Sequence, residues 1–424
     1  DKTLSLAVTM DRPTALISDL SGPQGGVYSA RITLSHPSSD FTAEDLALVN
    51  ATAVLTGSGA SYEVTLTPLE QGLVSVAVKA ASFTGATGQS NATASNTASA
   101  VYDSQGSDVV ITGLPQSFSG TGAFSATIRF SEAVSGFELT DIALGNATAG
   151  GFSGADAAYS VVIYPTGRGD ATVQIPAGAA LDAAGNGNRA SPVVTLKNTT
   201  VAETQKKIAR FISGRTNQLV ANQPDLTCHL TGGCGGGGFN AQVTRNMMSF
   251  DMTSPRESSV WFSLSGSRSQ SGGTTSDYVF GALGTHLKIH DHLLVGMMVV
   301  LDHVASRDAS GRINGRGWMA GPYVVSKHPR HPLYFEGRVL AGTSENTISP
   351  FNTYRDNFDT RRILAQVKVS GELQLGKLTV TPSLSGSYAS DRQSAYNDSL
   401  GNLIGAQSFD MYQTELGVNL TRTT

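Results

Sequence analysis

Two twelve-residue stretches, FTAEDLALVNAT at 41–52 and FELTDIALGNAT at 137–148, decide the fold of the first half of this chain. They share Phe, Asp, an aliphatic residue, Ala, Leu and Asn-Ala-Thr at the same positions. The similarity continues on both sides: ITLS at 32–35 matches IRFS at 128–131, and YEVTL at 62–66 matches YSVVI at 159–163. Similarity of this extent indicates an internal repeat of about 96 residues.

Each copy of the repeat has the pattern of short β-strands. Apolar residues alternate with polar ones, as at Val74, Val76 and Val78, and turn-forming residues recur at short intervals. Strands at this spacing predict one β-sandwich per copy, at 9–103 and at 104–198. Residues 1–8 correspond to the last strand of a unit, so we expect them to be the end of a preceding repeat in a longer array.

These units resemble the bacterial immunoglobulin-like repeats of large surface proteins and adhesins. The resemblance rests on the repeated twelve-residue stretch, on a strand with Tyr followed by Pro, and on LDAAGNGN at 181–188. It implies immunoglobulin-like sandwiches that can bind a host or cell-surface ligand. The first copy departs from the last motif, because it has GQSN at 88–91 and no Asp there.

Asp182, Asn186 and Asn188 of that motif allow two interpretations. Ca²⁺ binds several oxygen ligands, and these side chains supply them. Asp, Gly and Asn also favour tight turns, because they tolerate left-handed backbone angles. We favour the turn, since the motif contains a single carboxylate, and we expect Asp45 and Asp141 to be turn or cap residues.

The composition favours β-structure throughout the chain. Charged residues make up 15% of 424, 47 residues are Gly, and 40% are hydrophobic. Residues 1–202 contain 16 acidic and 8 basic side chains, which argues against nucleic-acid binding there, whereas residues 203–424 contain 17 and 21. The longest apolar run, at 293–301, is far too short for a transmembrane helix, but transmembrane β-strands need no such run.

A single linker helix is predicted at 199–224. Thr200 and Glu203 have the spacing of a capping box, Ile208, Phe211, Ile212 and Leu219 form an apolar stripe, and Pro224 ends the helix. The other faces carry the cations Lys206, Lys207, Arg210 and Arg215.

Beyond residue 259 the alternation continues in longer segments. We predict eight strands, near 259–267, 278–289, 292–304, 316–326, 332–343, 361–375, 377–389 and 407–422. Their length suits tilted strands that cross a bilayer. The predicted connections alternate between long ones (268–277, 305–315, 344–360 and 390–406) and short ones, which is typical of an antiparallel up-and-down transmembrane β-barrel at 259–424.

The second half resembles the C-terminal translocator of autotransporters, the type V secretion proteins. The resemblance rests on WFSLSGS at 261–267, FGALG at 280–284, GWMAGPY at 317–323, FEGR at 335–338 and the preceding helix. It implies a helix inside the barrel lumen, where Glu336, Glu372 and Glu415 are expected to face its cations. It also implies outer-membrane lipid and the barrel-assembly machinery as partners. The family barrel has twelve strands, so with about eight present we expect this one to be incomplete.

Residues 225–258 form a predicted Gly-rich connecting segment with two Cys. For Cys228 and Cys234 we favour a small disulfide loop over free thiols or half of a Zn²⁺ site. His286, His290 and His292 have a spacing that allows metal binding, but we favour a polar face at a turn.

The motifs of common enzymes are missing from this sequence, so we predict no catalytic site and no cofactor. We expect an outer-membrane autotransporter whose barrel exports and anchors surface-exposed repeats with an adhesive or spacer role. The linker helix has no Asn-Asn pair for self-cleavage. The alternatives are a soluble secreted or surface-attached adhesin without a barrel, and a surface enzyme whose catalytic domain precedes residue 1.

Overall fold

The computed structural model describes residues 11–231, 238–244, 247–253 and 259–422. The predicted end of a preceding repeat, at 1–8, lies outside the described residues. The described chain is mainly β, with two sandwich domains, a helix and a large antiparallel sheet.

The first sandwich places two small sheets around one apolar core. Its strands are β1 (Ala15–Ile17), β2 (Ser21–Gln24), β3 (Val27–Ser38), β4 (Leu46–Val49), β5 (Ala51–Pro68), β6 (Gly72–Val78) and β7 (Ala98–Tyr102). β3 pairs with β1, β2 and β5, and β6 pairs with β4 and β7. The alternating residues Val74, Val76 and Val78 are fully buried against Ile32 and Val64 of the opposite sheet.

The second sandwich also packs two sheets around one apolar core. Its strands are β8 (Val109–Thr112), β9 (Ser117–Phe118), β10 (Phe124–Phe130), β11 (Ala143–Gly145), β12 (Ala147–Ala155), β13 (Ala158–Pro165), β14 (Ala171–Gln174) and β15 (Val194–Asn198). One sheet has the order β12-β13-β10-β8 and the other β11-β14-β15-β9, in which β15 and β9 are parallel.

Asp45 and Asp141 occupy equivalent positions at short 3-10 helices, Ala43–Asp45 and Leu139–Asp141. Each carboxylate accepts the backbone N–H three residues earlier, from Thr42 and Glu138, at 2.7 Å. Both are therefore cap residues, and this explains why Asp recurs in the twelve-residue stretch.

One long helix is present in the described part of the chain, α1 (Thr200–Ala221), which begins two residues after β15 ends. The short helix α2 (Cys228–Thr231) follows it. The predicted capping box does not form. Thr200 Oγ1 accepts the N–H of Gly120, and the Glu203 carboxylate pairs with Lys206 instead. Within the described residues no helix is both long and apolar enough to cross a membrane.

The second half is an antiparallel sheet. Its strands, with two short ones in an outer loop, are β16 (Phe239–Val243), β17 (Met247–Thr253), β18 (Val260–Ser271), β19 (Thr274–His290), β20 (Leu293–Asp308), β21 (Gly311–Lys327), β22 (Leu333–Pro350), β23 (Asp356–Gly371), β24 (Leu373–Leu375), β25 (Leu378–Gln393), β26 (Tyr396–Asn397), β27 (Leu403–Ile404) and β28 (Gln407–Arg422). From β16 onwards each long strand pairs with the next, and β28 pairs with β25.

All eight predicted strands are present, and the hairpin β16–β17 adds two within the segment predicted as a connection. The predicted length of three loops is wrong. The strands extend through 268–277 and 305–315 to two-residue turns at 272–273 and 309–310, and 344–360 shortens to a turn at 351–355. Polar residues in these segments continue the ladder, so their composition suggested loops where the backbone pairs. A long connection remains at 394–406 (the outer loop), which contains β26 and β27.

The sheet curves around α1. The helix packs against β20 on one side and against β25 and β28 on the other, although three strands lie between β20 and β25 in the sheet. Ile208, Phe211 and Ile212 of the helix share one apolar core with residues of most strands, including Phe280 and Met298.

Candidate functional site

Arg215 lies where the helix meets the inner face of the sheet. Its side chain is 1% exposed, and its Nε donates to Asp302 Oδ2 at 2.6 Å while Nη1 donates to Asn346 Oδ1 at 2.8 Å. The other oxygen of Asp302 accepts Arg362 Nη1 at 2.6 Å. Arg362 Nε lies 3.6 Å from Asp391, so two cations and two anions form one buried network.

Two glycines of β21 make room for this network. A Cβ on Gly315 would lie 2.2 Å from Asn346 Oδ1 and 2.8 Å from Arg215 Nη1. A Cβ on Gly317 would lie 2.6 Å from Arg362 Nη1 and 2.7 Å from Arg215 Nη2. Only a residue without a side chain leaves the guanidinium groups in their positions.

A buried charge costs several kcal/mol unless it is paired and hydrogen-bonded. The network therefore fixes the register and rotation of the helix within the sheet, since any shift would separate Arg215 from Asp302. Around it, the apolar residues of the helix supply nondirectional packing.

The other predicted helix cations differ in their surroundings. Lys207 Nζ pairs with Asp308 and donates to Ser310 Oγ, both at 2.8 Å, next to the turn at 309–310. Lys206 is half exposed beside Glu203 at 3.6 Å, and Arg210 is exposed. Two of the four cations thus contact the sheet.

The acids that meet these cations are Asp302 and Asp308, not the three glutamates that the sequence suggested. Glu336 is buried, but it contacts Arg338 and accepts the N–H of Leu226 at 2.9 Å. Glu372 accepts the Tyr334 hydroxyl at 3.3 Å, and Glu415 is exposed on β28. The sequence analysis missed Asp302, although strand parity places it in step with the inward residues Met298 and Val300. Its pairing with Arg215 depends on the position of the helix, which strand parity does not give.

The segment after the helix is also bound to the sheet. Arg338 Nη2 donates to Pro224 O at 2.6 Å and Nη1 to Gln223 Oε1 at 3.2 Å. Lys368 Nζ pairs with Asp225 at 2.8 Å. The helix is therefore held near both ends and in its middle.

A cluster of aromatic and histidine side chains lies near the end of the sheet opposite the turn at 309–310. Trp261 Nε1 donates to the Tyr323 hydroxyl at 2.8 Å, which lies 3.2 Å from His286 Nδ1. The rings of His290 and His292 stack at 5.6 Å on the turn after β19. Among the described residues, the ring nitrogens of these three histidines do not all lie within 4.8 Å of one another, as a shared metal ion would require.

The side chains of the second sandwich's Asp-Asn motif serve mainly to hold its loop. Asp182 accepts the N–H groups of Ala184 and Asn186, and Asn188 bonds three backbone groups. Burial raises the pKa of Asp182, but the hydrogen bonds from Asn186, Ala184 and Gly185 outweigh it and lower the pKa. Asp182 also lies with Asp103 and Glu132, whose carboxylate oxygens fall within 4.8 Å of one another and of its own.

Cys228 opens α2 and is disulfide-bonded. Its predicted partner, Cys234, lies outside the described residues, so the pairing stays a prediction.

The outward face of the sheet is apolar and exposed, whereas the inward face is buried against the helix. Along β19, Val279, Leu283 and Leu287 point outward, while Tyr278 and Phe280 are buried. The other exposed apolar side chains include Val295, Met297, Val299, Leu301, Trp318, Val324, Val339, Ile363, Val367 and Leu384. Long antiparallel strands with this alternation around a polar network define an outer-membrane β-domain.

Comparison with protein families identifies the domains of the chain. Residues 260–424 match the autotransporter beta-domain, and residues 10–102 and 103–201 each match a bacterial Ig-like domain. Residues 260–424 therefore form an autotransporter β-domain, which is an outer-membrane domain, and two bacterial Ig-like domains precede it. Neither the curated proteins nor the solved structures with which it was compared gave a significant match.

Proposed function

We propose that the β-domain exports the Ig-like repeats and then keeps them attached to the cell surface through the helix in its lumen. The observation that carries this proposal is the pairing of Arg215 with Asp302 and Asn346. A helix bound by a buried charge network, by Lys207 and by the Pro224 segment acts as an anchor for the chain before it.

The direction of the helix supports a surface position for the repeats. Its first residues lie near the turn at 309–310 and near the outer loop, whereas the chain after it binds Arg338. The repeats precede the helix and so leave the lumen at the end that carries the outer loop. We infer that this end faces outward, and that the repeats are spacers or adhesive modules.

Protease treatment of intact cells tests both parts of the proposal. We expect the repeats to be degraded from outside while a fragment that contains the helix and β-domain survives and stays in the membrane fraction. Repeats that resist protease until the cells are lysed would contradict the surface position. Repeats found in the medium without protease would contradict anchoring.

Extraction distinguishes the proposal from a soluble adhesin. An embedded β-domain stays in the membrane in alkaline carbonate and dissolves in detergent. Release of the whole chain by carbonate would favour the soluble alternative. A surface enzyme with an upstream catalytic domain is compatible with both results.

A further inference from the structure

The second Ig-like domain contacts the end of the β-domain at which the helix begins. Its turn at 119–122 lies beside the turn at 351–355, and its turn at 166–169 lies beside the outer loop. Asn402 of the outer loop donates its Nδ2 to Gly167 O at 3.0 Å, and the guanidinium of Arg168 lies over Gly401.

The two turns fit closely because each contains a buried glycine at the contact. A Cβ on Gly120 would lie 2.8 Å from Thr353 Oγ1 and 3.2 Å from Phe351 Cβ. A Cβ on Gly167 would lie 2.6 Å from Leu400 Cδ1. Both glycines also have positive φ, so a side chain is disfavoured by backbone strain as well.

The first Ig-like domain provides an internal comparison. Aligning Ser29 with Ser125 places Gln24 at the position of Gly120, and aligning Pro68 with Pro165 places Glu70 at the position of Gly167. Gln24 and Glu70 are exposed in the first domain. The two copies therefore differ where the second domain meets the β-domain: long polar side chains stand in one and glycine in the other.

The connection between the second domain and the helix leaves little freedom. Strand β15 ends at Asn198 and α1 begins at Thr200. Ser119 and Thr199 share a hydrogen bond of 2.7 Å between their hydroxyls, and Gly120 N donates to Thr200 Oγ1 at 2.9 Å.

The outer loop contacts the helix, the core of the sheet and the second Ig-like domain. Its residue Ile404 is buried in the core that contains the helix, and Gly405 lies close to the Gln205 side chain. The Asp398 carboxylate accepts the N–H of Asn402 at 2.7 Å, which holds the loop in the shape that reaches Gly167.

We propose that the outer loop and the turn at 351–355 form a docking surface for the second Ig-like domain. This domain is specialised to sit on the β-domain, and the first repeat could not replace it there. The occupant of the docking surface is the surface formed by residues 119–122 and 166–169. With this domain seated, external partners reach the first repeat and not these loops.

Cross-linking of the purified, detergent-solubilised chain tests the docking, and it does so without reference to membrane anchoring or surface exposure. In a background with Cys228→Ser and Cys234→Ser, the pair Arg168→Cys and Leu400→Cys is treated with a short bismaleimide. The control pair, Ala158→Cys and Leu400→Cys, uses the opposite end of the hairpin β12–β13. We expect the first pair to cross-link several-fold more than the control. Equal yields would overturn the proposal.

Variants of the turn at 351–355 add a second readout without altering the Ig-like domain. Thr353→Arg puts a long side chain against Gly120 and should lower the Arg168–Leu400 cross-link several-fold, whereas Thr353→Ser should leave it unchanged. On gels run without boiling, the heat-modifiable band of the folded β-domain shows whether each variant is assembled. An unchanged cross-link in an assembled Thr353→Arg protein would also overturn the proposal.

Discussion

Arg215 of the helix and Asp302 of β20 form a buried ion pair of 2.6 Å across 87 residues of sequence. Arg362 binds the other oxygen of the same carboxylate, so Asp302 is shared between the helix and the opposite wall of the sheet. One aspartate thereby couples the position of the helix to the assembly of strands that are distant in the sheet.

Reversing the charge at Arg215 should prevent assembly. In Arg215→Glu, a carboxylate would face Asp302 with no water to screen it, and breaking one partner of a buried pair costs about 3–5 kcal/mol. We expect loss of the heat-modifiable folded band on gels run without boiling. Arg210→Glu is the matched control, because Arg210 is exposed, and it should keep that band. Equal bands in both variants would contradict the role of the ion pair.

Exchanging both charges should not restore the folded protein. In the double variant Arg215→Glu with Asp302→Arg, the new arginine meets Arg362, which then lies against a like charge. We expect the double variant to remain unassembled, as measured by the same band. Full recovery would show that the helix and Asp302 interact as an isolated pair, without Arg362.

Gly317 should be intolerant of a side chain. Gly317→Ala puts a Cβ within 2.7 Å of both guanidinium groups, and overpacking of this kind costs about 1–3 kcal/mol. Gly281→Ala serves as the control, because its Cβ would meet only Leu264 at an ordinary 3.8 Å. The expected result is a lower unfolding temperature of the folded band for Gly317→Ala alone. Equal temperatures would mean that the network can shift to accept the methyl group.

Sequence patterns predicted the elements better than their contacts. The repeat of FTAEDLALVNAT specified two similar sandwiches, because alternation and turn residues are local properties. The eight strands were found for the same reason. The strand ends were not, because polar residues such as Arg312 and Asn314 continue the ladder where composition suggested a loop.

The candidate site was predictable only in part. The apolar stripe at Ile208, Phe211 and Ile212 identified the helix face, and Arg215 was recognised as a cation of the helix. Its partner was not found, because the choice between Asp302 and Glu336 depends on the height and rotation of the helix in the sheet. Those two quantities follow from packing, not from spacing in the sequence.

The first Ig-like domain should lose stability as acid protonates Asp40. Its carboxylate accepts the hydroxyls of Ser38 and Thr84, both at 2.7 Å, and the Thr84 N–H at 3.0 Å. These bonds lower the pKa of Asp40 to about 2. Because the folded pKa is below the ordinary value of about 3.9, the contribution is complete above pH 4 and is lost as the pH falls towards 2.

The pH dependence of the variant Asp40→Asn measures this contribution. We expect its thermal midpoint for the first domain to lie below that of the wild type at pH 7, and the difference to shrink between pH 4 and 2. Thr84→Val keeps the carboxylate but removes one donor, so its effect should be smaller. A difference that is constant with pH would show that Asp40 does not titrate in this range.

Asn188 should be essential to the second Ig-like domain as a structural residue rather than as a cation ligand. Its Oδ1 accepts the N–H of Ala180 at 2.8 Å, and its Nδ2 donates to Pro176 O at 2.9 Å and to Arg189 O at 2.8 Å. The equivalent Asn91 of the first domain is fully buried and bonds backbone groups in the same way. The motif of the first domain, GQSN at 88–91, contains this Asn but no Asp. The Asn is therefore present even where the motif has no carboxylate.

Replacing Asn188 by Ala removes three hydrogen bonds to backbone groups, and it leaves the N–H of the buried Ala180 without this partner. An unsatisfied buried group costs about 1–3 kcal/mol. We expect Asn188→Ala to lower the free energy of unfolding of the second domain by about 1–3 kcal/mol, measured by its thermal transition in the intact chain. Asn186→Ala, at a half-buried position, should cost less. Because Oδ1 of Asn188 is already engaged, the loss should be the same with added Ca²⁺ and with chelator. A loss that appears only in the presence of Ca²⁺ would instead make Asn188 a ligand.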